Sequence, residues 1–367
     1  MANPFRPTAG AMPPVLLSRG DILEEFAYGL RIRSGAPGLL TIITGARGIG
    51  KTVVLGLAED TALEAGWYAI SETATRGFAA RIGASMTLAD EELGSGRAVR
   101  RVTGVTMAGF GVTTQLTPEQ QVSWRQIGEK LLRRLDANGT GLLITVDEIH
   151  AADRDELSQL AADVQHFIRA GLPIALMFAG LPAAVSDLLN EGVATFLRRA
   201  DRIDLHAVSV TETARSYAEL FAQGGYRLAS EQADEAAEAT GGYPFLIQLV
   251  GYFLWQQAEA GEVLDSAAVE RAVAAARRRH ERVVIEAALA PVSAKDLDFL
   301  RAMAQDNGVS DVSDIGRRLG SRPNTVSNYR TRLIEAGLVE QAGYGRVDFA
   351  IPGLREYLRA HGAASGR

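Results

Sequence analysis

The sequence predicts an α/β protein, in which a doubly wound parallel sheet is followed by a helical domain and a small helix-turn-helix domain with a β-wing. Three observations predict this fold. Apolar β-branched runs alternate with amphipathic stretches over residues 39–206, as parallel strands connected by helices on both faces do. Residues 211–290 carry helical periodicity throughout, and residues 291–367 read as short helices followed by a Gly-containing hairpin.

The elements follow in chain order. A Pro-rich lead (1–14) precedes an amphipathic helix that ends at Gly35. The predicted strands of the sheet are LLTIIT (39–44), WYAIS (67–71), GLLITVDE (141–148), LPIALMFAG (172–180) and RIDLH (202–206). Helices are predicted after the glycine loop that follows the first strand and at 124–139 and 155–171. Residues 94–116, rich in Gly, Val and Thr, predict a β-hairpin or a flexible insertion, with a turn at GFG (109–111).

Composition excludes several classes of protein. Hydrophobic content of 47% and charged content of 22% are ordinary for a soluble globular protein. The absence of cysteine excludes disulfides, a thiol nucleophile and a cysteine zinc site. The apolar run at 245–255 is too short to span a bilayer, and the N-terminus lacks the basic and apolar regions of a secretory signal. We therefore expect a cytoplasmic protein without a membrane partner.

Charge is distributed unevenly along the chain. The net charge of −6 argues against indiscriminate coating of nucleic acid. Residues 291–367 contain 11 Lys and Arg against 9 Asp and Glu, which leaves 27 against 35 for the rest of the chain. This asymmetry permits a local nucleic-acid-binding domain near the C-terminus without requiring one.

The stretch GARGIGKT, Gly45 to Thr52, follows a predicted strand and opens a helix, which is the context of a P-loop. The glycines allow backbone N–H groups to surround a phosphate, and the helix N-terminus adds a positive dipole. We expect the Lys51 ammonium to reach the β- and γ-phosphates and the Thr52 hydroxyl to ligate Mg²⁺. The residues expected around the nucleotide here are Gly45, Ala46, Arg47, Gly48, Ile49, Gly50, Lys51, Thr52 and Val53.

A second motif supplies carboxylates. The apolar strand LLITVDE ends in Asp147 and Glu148. Asp147 is the candidate second ligand of Mg²⁺, and Glu148 is the candidate catalytic base that polarises water for attack on the γ-phosphate. A kinase usually needs its base on the acceptor's side, so the adjacent pair of acids favours hydrolysis over phosphoryl transfer.

With these motifs the chain resembles the P-loop ATPases of the AAA+/STAND group, in particular the initiator-type and archaeal branches. The resemblance also rests on TGGYPFLIQL (240–249) and on the C-terminal helix-turn-helix, and it extends over nearly the whole chain. SRGDILEEF (18–26) resembles the segment that packs near adenine, with Ser18 and Ile22 in place of the usual Gly and Glu. The resemblance implies ATP or ADP as ligand and Mg²⁺ as cofactor.

The resemblance implies further site residues. An arginine near the last strand commonly reaches the γ-phosphate bound by a neighbouring subunit, and Arg198 and Arg199 lie at that place. A homo-oligomer is then expected, although a solvated helix end also accounts for two cations there. GGYP resembles the lid element that covers the base, which assigns Tyr243 and Pro244 to the nucleotide.

Two departures from the family pattern concern the expected rate of ATP hydrolysis. The fourth predicted strand ends in Ala179, Gly180 and Leu181, where a polar sensor is usual, and GGYP (241–244) carries no arginine. Both departures predict a slow hydrolase that acts as a switch more than as a motor.

The segment SDIGRRLGSRPNTVSNYRTRLIEAGLVEQ (313–341) has the pattern of a helix-turn-helix. Its first helix places Ile315 and Leu319 at core spacing, Gly320 makes the turn, and Asn324–Ala336 forms the second helix. Val326, Tyr329, Leu333 and Ile334 are expected to pack inward. The polar residues left for contact with DNA are Arg322, Asn324, Thr325, Ser327, Asn328, Arg330 and Arg332, with Arg346 near the tip of the wing.

The sequence thus predicts four regions: a lead and linker helix (1–36), a P-loop ATPase core (37–208), a helical lid (209–290) and a winged helix (291–367). The favoured function is a slow ATPase switch that couples nucleotide state to DNA binding through the winged helix. The alternative is a regulatory ATPase switch that acts on a protein partner and uses the winged helix structurally. Phosphoryl transfer to a small acceptor is the weakest hypothesis, because it gives the winged helix no role.

Overall fold

A computed structural model describes residues 2–8, 23–95, 101–103, 118–190 and 195–362. These residues form two compact units. The sheet unit contains the described parts of Arg19–Gly45 and Lys51–Leu205. The helical unit contains the described parts of Met1–Ser18, Ala46–Gly50 and His206–Arg367.

Parallel strands form the centre of the sheet unit. They are β1 (Leu40–Thr44), β2 (Tyr68–Thr73), β3 (Arg101–Thr103), β4 (Leu142–Asp147), β5 (Ile174–Gly180) and β6 (Asp201–Asp204). Their order is β3-β2-β4-β5-β1-β6, and every neighbouring pair is parallel. The predicted α/β fold class is confirmed, and β4 and β5, which are buried along nearly their whole length, lie in the interior of the sheet as such strands require.

Helices cover both faces of this sheet. They are α1 (Glu24–Ile32), α2 (Lys51–Glu64), α3 (Phe78–Ser95), α4 (Pro118–Ala137), α5 (Arg154–Arg169) and α6 (Pro182–Asn190), with 3₁₀ turns at Pro37–Leu39, Ile149–Ala151 and Thr195–Arg199. Alternate strand residues such as Ile42, Ile144 and Phe178 belong to one apolar core with α3, α4 and α5. The intervening residues of β4 face α2, since Thr145 donates a hydrogen bond to Glu59.

The region predicted as a hairpin or flexible insertion differs from that expectation in its described part. Arg101–Thr103 forms β3, which pairs in parallel with β2 at the edge of the main sheet. The pairing with β2 was not predicted, because alternation predicts a strand without telling which partner it pairs with. The rest of the candidate insertion, 96–100 and 104–117, lies outside the described residues.

The helical unit begins with a succession of helices. They are α7 (Val210–Gln223), α8 (Ser230–Thr240), α9 (Pro244–Glu259) and α10 (Ser266–His280), followed by a π-helical turn (Glu281–Ile285) and α11 (Glu286–Leu289). Their inward faces are apolar, with Ala236, Tyr217 and Trp255 fully buried. The helical character predicted for 211–290 is confirmed.

A second core lies further along the chain. The elements around it are α12 (Ala294–Met303), β7 (Ser310–Asp311), α13 (Val312–Leu319), α14 (Pro323–Glu335), β8 (Val339–Gln341), β9 (Arg346–Phe349) and α15 (Leu354–Gly362). β7, β9 and β8 form an antiparallel sheet in that order. Gly320 takes the left-handed conformation between α13 and α14, with φ 59°, which is the turn that the sequence predicted. Val326 and Leu333 are buried, and Tyr329 and Ile334 pack against the same core.

The N-terminal segment 2–8 packs on the helices of its unit. The ring of Phe5 is 4% exposed and lies 5.7 Å from the ring of Tyr217 and 6.3 Å from that of Trp255, measured between centroids. Gly251 of α9 leaves the space for it, since a Cβ at that position would overlap the Phe5 ring. No helix among the described residues is long and apolar enough to cross a membrane.

Phe5→Ala tests this anchoring. Removing a buried phenyl ring leaves a cavity, so the free energy of unfolding should fall by about 3 kcal/mol or more. Arg6→Ala is the matched control: its side chain is exposed, and the change should stay within about 0.5 kcal/mol. Urea unfolding of the full chain, followed by tryptophan fluorescence, measures both. Equal midpoints for the two variants would contradict the packing described.

Candidate functional site

Lys51 opens α2 directly after the glycine loop. Its side chain is buried, with 6% of the residue exposed, and its Nζ donates to the Gly45 carbonyl at 3.0 Å. A cation at the N-terminus of a helix opposes the helix dipole, and burial adds a desolvation cost. This arrangement suits an anion that brings negative charge to the same place.

Thr52 and Asp147 meet between α2 and β4. The Thr52 hydroxyl donates to Asp147 Oδ2 at 2.5 Å, and the Glu148 amide donates to Asp147 Oδ1 at 2.8 Å. Burial raises the pKa of the Asp147 carboxyl, against the opposing effect of the hydrogen bond from Thr52. The structure therefore brings together the two oxygen donors that the sequence assigned to a metal.

Glu148 stands in a strained backbone conformation. Its φ of 56° and ψ of 42° lie in the left-handed region, which is unfavourable for a residue other than glycine. The side chain is 43% exposed, and its Oε2 lies 3.0 Å from Nδ1 of His150. The turn thus places the Glu148 carboxylate beside the His150 ring.

His150 was missed by sequence reasoning. Its only signal was its place two residues after Glu148 in VDEIH, and the following 3₁₀ turn, Ile149–Ala151, is what brings the ring back to the carboxylate. The strand next to β4, β5, offers no polar side chain at its carboxyl end. It ends at Ala179 and Gly180, and a side chain at Gly180 would collide with Ile149.

Residues 46–50 of the glycine loop pack within the helical unit. The Tyr243 hydroxyl donates to the Arg47 carbonyl, and the Arg47 Nε donates to the Ala336 carbonyl at 3.3 Å. Gly48 has φ 71°, and any Cβ there would overlap the Tyr243 hydroxyl. Burial raises the pKa of Tyr243, so the phenol stays a neutral donor. Pro244 is the first residue of α9.

Comparison with family models finds a similarity over the first part of the chain. Residues 16–176 match the model of the AAA ATPase domain. Residues 282–358 match the model of a domain of unknown function, DUF8462. A comparison with curated protein sequences found no match.

Solved structures resemble the whole chain. The Walker-type ATPase PABY2304 of Pyrococcus abyssi is 14% identical, with 94% of this chain and 96% of that chain covered and a TM-score of 0.64. The ORC2 protein of Aeropyrum pernix, in ADPNP and ADP complexes, is 15% identical, with 98% of each chain covered and a TM-score of 0.59. Cdc6p of Pyrobaculum aerophilum is 15% identical, with 96% and 95% covered and a TM-score of 0.52. At these identities the likeness shows a shared fold and no more.

Arg198 and Arg199 end a 3₁₀ turn, Thr195–Arg199, just before β6 of the sheet. Both are exposed. The Arg198 Nε donates to the Leu189 carbonyl at 2.8 Å, which holds that side chain on its own subunit. Action of either arginine on a neighbouring subunit stays a prediction.

The candidate DNA-facing residues of α14 are not equally available. Those that are exposed are Arg322, Asn324, Ser327, Asn328 and, on β9, Arg346. Thr325 and Arg330 are half-buried, and Arg330 Nε is enclosed without a hydrogen-bond acceptor among the described residues. Arg332, also expected to face outward, is bound to Asp296 at 2.6 Å. Contact of Arg330 with DNA stays a prediction, and its partial burial was not foreseen, because a helical wheel cannot show how far neighbouring elements cover a side chain.

Asp147→Asn tests the electrostatics of Thr52 and Asp147, the two candidate metal ligands. A carboxyl whose pKa is raised by folding stabilises the protein below its unfolded pKa, and this contribution is lost as pH rises through the folded pKa. At neutral pH the charged Asp147 carboxylate therefore lowers the free energy of unfolding. Without nucleotide or Mg²⁺, Asp147→Asn should unfold at a higher urea concentration than the unsubstituted protein at pH 7, and this gap should narrow as pH falls toward 4.

Asp234→Asn, at an exposed position of α8, is the control and should change stability by less than about 0.5 kcal/mol. A lower urea midpoint for Asp147→Asn at pH 7 would contradict a net cost of the charged carboxyl.

Proposed function

We propose that the chain binds ATP with Mg²⁺, hydrolyses it slowly, and uses the nucleotide state to control DNA binding by its C-terminal module. The observation that carries the proposal is the meeting of Thr52 and Asp147 beside the buried Lys51. These are the phosphate-binding and metal-binding residues of one site, drawn from motifs 95 residues apart in the chain.

The residues present fit a Mg²⁺ ion. A threonine hydroxyl and a carboxylate are oxygen donors of the kind that Mg²⁺ prefers, and a half-buried Asp147 with a raised pKa gains from a nearby cation. Bound Mg²⁺ supplies charge neutralisation of the phosphates. Lys51 Nζ adds a second positive charge at the β- and γ-phosphates.

Glu148 is the proposed general base. Its carboxylate accepts the proton of the attacking water, the oxygen of that water bonds to the γ-phosphorus, and the bond to the leaving ADP oxygen breaks. His150 Nδ1 lies 3.0 Å from Glu148 Oε2, close enough to restrain the carboxylate that must accept the proton. Together with the apolar end of β5, this proximity supports slow turnover.

Lys51→Ala and Glu148→Gln separate binding from turnover. We expect Lys51→Ala to weaken ATP binding about 100-fold or more, which is about 3 kcal/mol. Glu148→Gln should bind ATP normally and lower kcat by about 10²-fold or more. Isothermal titration and phosphate release measure the two effects, with the exposed Glu91→Gln on α3 as control. Unchanged kcat in Glu148→Gln would remove it as the base.

The C-terminal module supports DNA as the output. Its helix-turn-helix presents Arg322, Asn324, Ser327 and Asn328 along the exposed face of α14, and β8 and β9 form a hairpin with Arg346 at its tip. Such a pair of elements fits a winged helix, with α14 in the major groove and cations on the phosphates. The lid and winged-helix regions remain proposals with the boundaries predicted above.

One observation favours the alternative, a regulatory switch with a protein partner. Several arginines of the C-terminal module are bound to carboxylates of the same module. The pairs are Arg317–Asp314, Arg318–Asp306, Arg332–Asp296 and Arg355–Asp348. Arginines that are paired with carboxylates are less able to displace counterions from DNA. The salt dependence of DNA binding therefore distinguishes a DNA-binding module from one that contacts a protein partner.

Arg322→Ala should lower DNA affinity and reduce the slope of log K against log salt by about one. Arg330→Ala should have a smaller effect on that slope, because its guanidinium is half-buried. Fluorescence anisotropy with duplex DNA at 50–300 mM salt, a range set to reveal electrostatic binding of about this strength, measures both. Arg278→Ala, exposed on α10, is the control. Absence of DNA binding at low salt with ATP present would favour the protein-partner reading.

A further inference from the structure

Arg47 makes hydrogen bonds through both its backbone and its side chain. Its backbone carbonyl accepts a hydrogen bond from the Tyr243 hydroxyl, next to the start of α9. Its side chain donates from Nε to the Ala336 carbonyl, and Ala336 is the C-terminal cap of α14. One residue of the phosphate loop thus contacts the helical region and the helix-turn-helix, both inside the helical unit.

The contact at Ala336 suits a guanidinium. The last carbonyls of a helix lack intrahelical donors, and the negative end of the helix dipole favours a cation. Arg47 is half-buried, so solvent screens this contact less than it would a surface pair. Arg47 therefore contributes to holding the end of α14 in place.

The contact at Tyr243 constrains the loop itself. In a planar trans peptide the carbonyl and the following N–H point in opposite directions. Because the Arg47 carbonyl is directed to Tyr243, the Gly48 N–H is directed to the other side of the loop. Phosphate binding by a P-loop needs its N–H groups to converge, so the hydrogen bond from Tyr243 favours one orientation of this peptide.

We propose that Arg47 couples phosphate binding to the docking of α14: phosphates that fix the loop through its N–H groups also fix the Arg47 side chain on Ala336. This inference rests on the proposed nucleotide binding, and it adds the residue through which bound phosphate affects α14. Arg47 is here a positioning residue whose guanidinium points to a helix end, and Tyr243 positions the loop. Linkage is reciprocal, so docking of α14 strengthens nucleotide binding by the same factor.

Hydrogen–deuterium exchange of the full chain tests the coupling without DNA. MgADP should slow exchange of the amides at residues 332–338 by about fivefold or more. Arg47→Met keeps the length of the side chain and removes its donor, and it should abolish this response. By reciprocity it should also weaken ADP binding about fivefold. Tyr243→Phe, which retains the ring and loses the hydroxyl, should reduce the response in the same direction.

Two further variants make the test decisive. Arg278→Met, at an exposed position of α10, should respond to MgADP as the unsubstituted protein does. Arg47→Lys keeps a cation that reaches the helix end and should retain part of the response, so it serves if Arg47→Met does not fold.

The outcomes are distinguishable. Failure of the unsubstituted protein to bind MgADP overturns the proposed function and the coupling with it. Normal MgADP binding with no slowing at 332–338 overturns the coupling alone. Weaker binding in Arg47→Met with the exchange response intact would make Arg47 a phosphate contact, which also overturns the coupling.

Discussion

The position of α2 along β4 is the constraint on which the site depends, and a buried hydrogen bond fixes it. Thr145 donates to Glu59 at 2.6 Å, with only 1% and 4% of these residues exposed. Sliding the helix would break a bond between buried polar groups, which costs more than a surface contact. Thr52 lies two helical turns before Glu59, and Asp147 lies two residues after Thr145 on the same strand face, so the bond also brings Thr52 to Asp147.

The site built in this way carries unfavourable electrostatics. Lys51 is a buried cation at the positive end of a helix dipole, Asp147 has a raised pKa, and Glu148 has a left-handed backbone. Residues that break local rules in one place mark a functional site more often than a structural one. A nucleotide with Mg²⁺ would offset both charges, which is why the same cluster that costs stability suits phosphate chemistry.

Gly48 of the loop is required for two reasons. It has a positive φ, which is unfavourable for residues with a side chain, and the Tyr243 hydroxyl occupies the position that a Cβ would take. The loop is therefore shaped by residues almost two hundred positions later in the chain, as well as by its own sequence. The contact with Tyr243 is also one on which the proposed coupling of phosphate binding to α14 depends.

The sequence by itself determined the α/β fold class, the P-loop, the acidic pair Asp147–Glu148 and the helix-turn-helix with Gly320. These follow from the period of apolar residues and from local turn chemistry, which neighbours in the chain decide. Only the tertiary structure decided the pairing of β3 with β2, the approach of His150 to Glu148, the partial burial of Arg330 and the bond from Arg47 to Ala336. Each of these depends on which surfaces meet after folding, and residues 289 apart, as Arg47 and Ala336 are, leave no periodic trace of their contact.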